Sequence, residues 1–316
     1  MFSDDPNISE YDFKGLKGRM GHWPAKNTDA TRTFVIIYGQ HATIERLLPM
    51  IGALQNFGDV YIADNPGFGG MDPASKINNY PDLEFYADHL NHFITTHIPD
   101  DRTITLLGIS FGFQMVTELL STYPKLTPRV EEVISLVGFV SHKDFSMKKT
   151  VEIPLMYGLC NIGRTRLGAK ILDALFLNNF FIPVVYKLTK PLNETLKDKN
   201  KEETNEYVRE SAWLWVVNDT YTHGATAWDF FKTTDLSGYK LPVKGKYLSA
   251  PSDHLLNTEQ IKASMRTMFK DFESHDLNVH GHAPLDIETE DHVLDILPQA
   301  IKDQFESSTN KTAVTD

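Results

Sequence analysis

The sequence predicts an α/β fold, with a mainly parallel central sheet, helices on both of its faces and an inserted helical cap. Between residues 33 and 140, short runs rich in β-branched and aromatic residues alternate with segments of helical periodicity. From about Ser146 to Leu236 this alternation stops and the chain becomes helical and aromatic. Strands and helices that alternate at this spacing are typical of a parallel sheet, whose functional sites lie at the carboxyl ends of the strands.

The elements before the insertion follow from local patterns. Residues 1–30 are patterned as loose strands and turns, with glycines and Pro24 interrupting any long helix. After them the sequence predicts, in order, a strand at TFVIIYG from Thr33, a helix in Ile44–Phe57, a strand at Asp59–Asp64, a helix at Leu83–Ile98, a strand at Thr103–Leu107, a helix through Tyr123 and a strand at Val130–Val140.

The second half predicts a return to the core after the insertion. Strand-like patterning reappears at Lys246–Leu248 and near Leu277–Val279, and a last helix is predicted over Asp291–Phe305. We therefore divide the chain into a core formed by residues 1–145 and 237–306, a helical cap at 146–236 and a disordered tail at 307–316.

Composition narrows the function classes. With 31 basic and 42 acidic residues and no long Lys/Arg cluster, the chain is an unlikely nucleic-acid partner. No apolar run reaches the 18 or so residues that span a bilayer, so no membrane span is expected. The single cysteine, Cys160, and an acidic N-terminus without a signal-peptide pattern make the cytoplasm the expected location. A small-molecule substrate is the expected partner.

Gly108-Ile109-Ser110-Phe111-Gly112 carries the strongest chemical signal. It matches G-x-S-x-G directly after a buried strand and directly before a helix. A serine on such a sharp turn must adopt strained backbone angles, and glycines two residues to either side relieve the crowding. The pattern predicts Ser110 as a nucleophile, although an ordinary tight turn would also fit it.

Three segments in this order resemble the α/β-hydrolase family: DNPGFGGMD after the second strand, GISFG, and GHAPLDIETED late in the chain. The resemblance covers the chain from about Thr33 to the end, and it implies a cap-containing hydrolase with a serine nucleophile. Serine at position 110 argues against the dehalogenases and epoxide hydrolases of this family, which carry aspartate there.

A serine hydroxyl needs a base and an acid that orients the base. The resemblance assigns the base to His282 in GHAP, with His280 as its rival. It assigns the acid to Asp253 in the loop APSD, with Asp144 as the alternative used by relatives that place the acid one strand earlier. Either aspartate could instead simply cap a turn.

The same mechanism requires two backbone N–H donors for the oxyanion. The resemblance implies that one is the amide of Phe111 and that the other follows the strand Thr33–Ile37. The family usually has His-Gly before that second donor, whereas this chain has Tyr38-Gly39. Gln40 is then the expected donor.

No cofactor and no metal are expected, because the third glycine of a dinucleotide fingerprint is missing at Asp72 and no zinc spacing such as H-E-x-x-H occurs. A small or medium apolar ester or lactone is the leading substrate class. The alternatives are a carbon–carbon bond hydrolase, an aminopeptidase for short peptides, and a catalytically silent binding protein. Cap aromatics predicted to line an apolar pocket are Tyr157, Phe176, Phe180, Phe181, Tyr186, Trp213, Trp215 and Trp228.

Overall fold

The computed structural model describes residues 2–146, 152–177, 181–184, 200–251, 253, 255–278 and 289–309. Within them lies one eight-stranded sheet with strand order β1-β2-β4-β3-β5-β6-β7-β8. The β1–β2 and β2–β4 pairs are antiparallel, and every pair from β4 to β8 is parallel. The predicted fold class, a mainly parallel sheet with helices, is therefore confirmed. The strands are β1 Ile8–Phe13, β2 Leu16–Trp23, β3 Arg32–Ile37, β4 Gly58–Ala63, β5 Ile104–Ile109, β6 Val130–Leu136, β7 Leu241–Ser249 and β8 Phe269–Asp276.

Burial explains why the central strands were readable from the sequence. Every residue of β3 is buried, and so are the first five residues of β5. Strands covered on both faces appear as near-continuous apolar runs, and these two strands do.

The α-helices are α1 Leu48–Leu54, α2 Leu83–His97, α3 Phe111–Thr122, α4 Glu152–Gly163, α5 Arg166–Leu175, α6 Lys201–Val217, α7 Thr220–Lys232, α8 Thr258–Met268, α9 Glu290–Ile296 and α10 Gln299–Thr309.

Two predictions for the end of the core were wrong. The last strand is not near Leu277–Val279 but is β8, which ends at Asp276, and Val279 lies outside the described residues. As an edge strand β8 leaves charged side chains exposed, so it has no apolar pattern to detect. The single helix predicted at Asp291–Phe305 is two helices, α9 and α10, separated at Leu297-Pro298, because proline lacks the N–H that a continuing helix needs. Helix α10 ends at Thr309, inside the segment 307–316 predicted to be disordered.

Helices α4 to α7 occupy the part of the chain predicted to be a cap, and they dock on the carboxyl end of the sheet. The N–H of Asp219, between α6 and α7, donates to the carbonyl of Gly67 at 2.8 Å, and Asn218 Oδ1 accepts the N–H of Gly69 at 2.8 Å. Both glycines belong to the loop that follows β4. None of the helices in the described ranges combines the length and hydrophobicity needed to cross a membrane.

The opposite end of the sheet is held by a buried ion network. Glu132 on β6 accepts from Arg32 on β3 at 2.8 Å and from Lys246 on β7 at 2.5 Å. Lys246 also donates to Gln304 of α10, and all three charged residues are less than 5% exposed. This network links three strands and a helix far from the loops at the carboxyl ends.

Candidate active site

Ser110 lies on a strained turn between β5 and α3. Its φ of 51° and ψ of −120° fall in a region that non-glycine residues rarely adopt and that costs about 1–3 kcal/mol. Neighbouring backbone holds the turn: the Ser110 N–H donates to the carbonyl of Leu136 at 2.9 Å, and the Ser110 carbonyl accepts from Phe113 at 3.0 Å. Such strain is typical of a nucleophile held at the mouth of a pocket.

The glycines around Ser110 are required by close packing. A β-carbon at Gly112 would lie 2.1 Å from the carbonyl oxygen of Ile37, at the end of β3, and one at Gly108 would lie 2.7 Å from Phe113 Cα. Any larger residue would push the elbow away from β3 or α3. The spacing G-x-S-x-G therefore reflects two contacts of the turn with its neighbours, as the sequence pattern predicted.

The loop after β3 lies against the elbow. A β-carbon at Gly39 would lie 3.1 Å from the amide nitrogen of Phe111 and 3.2 Å from Ser110 Cβ. Phe111 is the first residue of α3, so its N–H is one of those that the helix leaves unbonded at its N-terminus. The Gly39-Gln40 segment and the Phe111 amide, which the sequence predicted as the oxyanion donors, thus lie on adjoining loops.

Tyr38, at the start of this loop, is hydrogen-bonded to Asp64 and Asn65 in the loop after β4. Its hydroxyl donates to Asp64 Oδ1 at 2.9 Å and accepts the N–H of Asn65 at 3.1 Å, while its carbonyl accepts from Asn65 Nδ2 at 2.9 Å. Burial raises the pKa of Asp64 to about 7, against the opposing effects of Arg19 and Tyr38. Arg19 contacts Asp64 at 2.9 Å and also pairs with Glu45. The tyrosine that departs from the family pattern therefore joins the loops after β3 and β4.

Asp253 and Asp144 lie in adjacent loops, and the carboxylate of each accepts two backbone N–H groups. Asp144 is fully buried, and its Oδ2 accepts the N–H groups of Val140 and Ser141 at 2.8 and 2.9 Å. Burial raises the pKa of Asp144. This geometry favours the turn-cap interpretation of Asp144. Asp253 follows β7 and is only half-buried, and its Oδ1 accepts from Leu255 and Leu256 at 2.8 and 3.2 Å, so it too has the contacts of a turn cap.

The predicted base, His282, lies outside the described residues, as does its rival His280. In chain order they follow β8, the strand next to β7, and precede α9. The described His275 lies on β8 with Nε2 at 3.6 Å from Glu273. That Ser110, Asp253 and His282 form a triad is therefore a proposal.

Helices α6 and α7 bring two side chains, Trp215 and His223, to the loop after β3. The sequence did not single them out as partners of Gln40 and His41. The ring of His41 lies 4.4 Å from that of Trp215 on α6 and 6.0 Å from that of His223 on α7, centroid to centroid. Burial lowers the pKa of His41 to about 3, with His223 and Arg46 adding to the effect, and burial lowers the pKa of His223 to about 4. Both histidines are therefore neutral at pH 7.

The other cap aromatics are distributed unevenly. Trp213 contacts Phe2 and lines a groove of about 470 Å³ along the outer side of α6, with Pro183 and Arg209 among the other lining residues. Phe176 and Phe181 are exposed, and Tyr157 packs on Trp228. Phe180 and Tyr186 lie outside the described residues. Of the eight predicted pocket aromatics, Trp215 is the one whose ring contacts the loop after β3, through His41, in the described part.

Within the described ranges, no three His, Cys, Asp or Glu side chains are grouped as metal ligands.

Comparison with known proteins agrees with this architecture. Residues 50–158 match the family model described as the alpha/beta hydrolase fold. An esterase from Thermogutta terrifontis superposes with a TM-score of 0.63 at 14% identity, covering 95% of this chain and 97% of that one. The enol-lactonase from Burkholderia xenovorans gives 0.63 at 13% identity over 95% and 100%, and the epoxide hydrolase CorEH gives 0.64 at 13% over 93% and 98%. No curated protein sequence matches the chain.

The chain has the alpha/beta hydrolase fold, and the resemblance drawn from its motifs is confirmed. At these identities the solved structures establish the fold alone. The chemistry has to be argued from the site.

Proposed function

We propose that this protein is a serine hydrolase that cleaves a small or medium apolar carboxylic ester or lactone through an acyl-enzyme on Ser110. The observation that supports it is the strained elbow: Ser110 at φ 51° follows β5 and directly precedes α3, against Gly39 of the loop after β3. In this proposal His282 takes the proton of Ser110, Asp253 orients His282, and the amides of Phe111 and Gln40 bind the oxyanion. Water then releases the acyl group.

Residues 146–236 form the cap in this proposal, and they cover the site. In support, the described helices α6 and α7 contact the loops after β3 and β4, next to the elbow. The ester and lactone classes are favoured by serine at position 110, and the esterase and enol-lactonase among the similar structures are consistent with them. Serine also argues against epoxide opening, for which the family uses aspartate.

The test is covalent labelling by a fluorophosphonate probe, together with hydrolysis of short-chain nitrophenyl esters, lactones and an aminoacyl nitroanilide. Ser110→Ala should abolish labelling and lower turnover by several orders of magnitude, because the nucleophile and its base act as a unit. Ser135→Ala is the matched control, since Ser135 is a buried serine on β6 paired with Gly108. Equal labelling of the Ser110→Ala variant and the parent would refute the assignment.

A further inference from the structure

The side chain of Gln40 ties the oxyanion loop to the cap. Gln40 Nε2 donates to Thr226 Oγ1 and, at 3.2 Å, to the main-chain carbonyl of His223, both on α7. A primary amide has two N–H donors, so these two contacts satisfy both of them. The backbone of the same residue carries the amide proposed as the second oxyanion donor.

Thr226 is well suited to hold Gln40 in place. It is 1% exposed, and its hydroxyl donates to the carbonyl of Thr222 at 2.8 Å, so the oxygen is left to accept from Gln40. The result is a chain of hydrogen bonds from the loop, through one threonine, to the backbone of α7. Hydrogen bonds in such a buried chain have fixed directions, which limits the positions that the loop can take.

The contacts of His41 and Gly39 show that a shift of Gln40 would reach the elbow. His41 has a φ of 56° and packs between Trp215 and His223, so the loop is held by the cap on this side as well. On the other side the loop leaves no room for a side chain at Gly39, where a β-carbon would lie 3.1 Å from Phe111 N and 3.2 Å from Ser110 Cβ. A donor must lie within about 0.5 Å of its productive place to stabilise an oxyanion fully.

We propose that Thr226 of the cap is a positioning residue for the hydrolytic reaction: through the Gln40 side chain it places the Gln40 amide in the oxyanion hole. This inference rests on the proposed function. Because the oxyanion forms only in the transition state, Thr226 should affect kcat and leave KM nearly unchanged. The cap then contributes to the chemical step as well as to closure.

The experiment compares Thr226→Val with Thr222→Val on a nitrophenyl ester that the parent hydrolyses. Both changes replace a buried hydroxyl by a methyl group on the same helix, but Thr222 donates to Asp219 at 2.6 Å and does not carry the Gln40 contact. Loss of a whole oxyanion donor costs about 10²–10³ in kcat, so misplacing one should cost about 10-fold. We expect Thr226→Val to lower kcat by about that factor and Thr222→Val to leave kcat near the parent value. Thr226→Ser keeps the hydroxyl group, so it should also have a kcat near the parent value.

Gln40→Met removes the contact with Thr226 from the loop side, together with the contact to the His223 carbonyl, and it tests the inference even where Thr226→Val folds poorly. Its loss of kcat should be at least that of Thr226→Val, and the double variant should be no worse than Gln40→Met alone, because residues that act through one contact are not additive. A parent without labelling or hydrolysis refutes the proposed function and this inference with it. An active parent whose Thr226→Val and Gln40→Met variants keep the parent kcat overturns the inference alone.

Discussion

Replacing His89 by phenylalanine should make the protein less sensitive to acid. His89 lies on α2 and is fully buried against Phe13 and Tyr11 of β1, at centroid distances of 5.2 and 5.6 Å. Neither ring nitrogen has a hydrogen-bond partner in the described part of the chain. Burial, with a smaller effect of His92, lowers the pKa of His89 from 6.5 to about 3.

The magnitude follows from the proton that only the unfolded chain binds. At pH 5 the exposed imidazole of the unfolded chain is protonated, whereas the folded His89 stays neutral. A pKa depressed on folding contributes stability above pH 6.5 that is lost as the pH falls toward 3. Between pH 8 and pH 5 this one residue should cost the parent about 2 kcal/mol of unfolding free energy.

Urea unfolding of parent and His89→Phe at both pH values measures the effect. The larger phenylalanine ring changes packing equally at the two pH values. The change in unfolding free energy between pH 8 and pH 5 therefore reports only the proton that His89 binds in the unfolded chain. His292→Gln is the control, since His292 is an exposed histidine on α9 and should leave the pH dependence as in the parent. If parent and His89→Phe lose the same free energy to within about 0.5 kcal/mol, His89 does not stay neutral on folding and the reasoning is wrong.

Two further predictions concern charged side chains. Lys246→Met should lower the free energy of unfolding by about 1.5–3 kcal/mol, because Glu132 loses one charge-assisted hydrogen bond and keeps that of Arg32. Lys244→Met, an exposed position two residues away on β7, should change it little, and urea unfolding would contradict this reasoning if both variants behaved alike. Asp253→Asn should lower kcat far more than Asp144→Asn on folded protein, since only the acid beside the base stabilises the imidazolium. The reverse order would assign the acid to Asp144.

Much of the core could be predicted because its signals are local. Ser110 was identified from five residues and their flanking strand and helix, and the structure gives that turn its expected strain. Strands β3 and β5 were recognised because burial on both faces selects continuous apolar runs. Pro298 marks a break in the sequence, but the apolar spacing on either side of it predicts one continuous helix.

The parts that were missed depend on position within the whole fold. Strand β8 is a strand because β7 pairs with it, and its own residues FKDFESHD carry no alternation that predicts one. Helix α8 is an exception: it was not predicted, although Asn257 caps it and its buried residues Ile261, Met265 and Met268 follow helical spacing. The fixation of Gln40 by Thr226 joins residues 186 positions apart, which no local pattern can indicate.

The contacts of the cap separate two ways in which it could act. A cap that only closed over the pocket would contact the core at its rim, and substitutions in it would change substrate preference alone. Here α7 is bonded to the loop after β3 through Gln40, and Asp219 at its start is bonded to the loop after β4. Both loops lie on the β3 side of the elbow. Both loops are also joined to each other by Tyr38. Any movement of α7 must therefore shift the loop proposed to bind the oxyanion, so we expect cap substitutions at this contact to change kcat for every substrate.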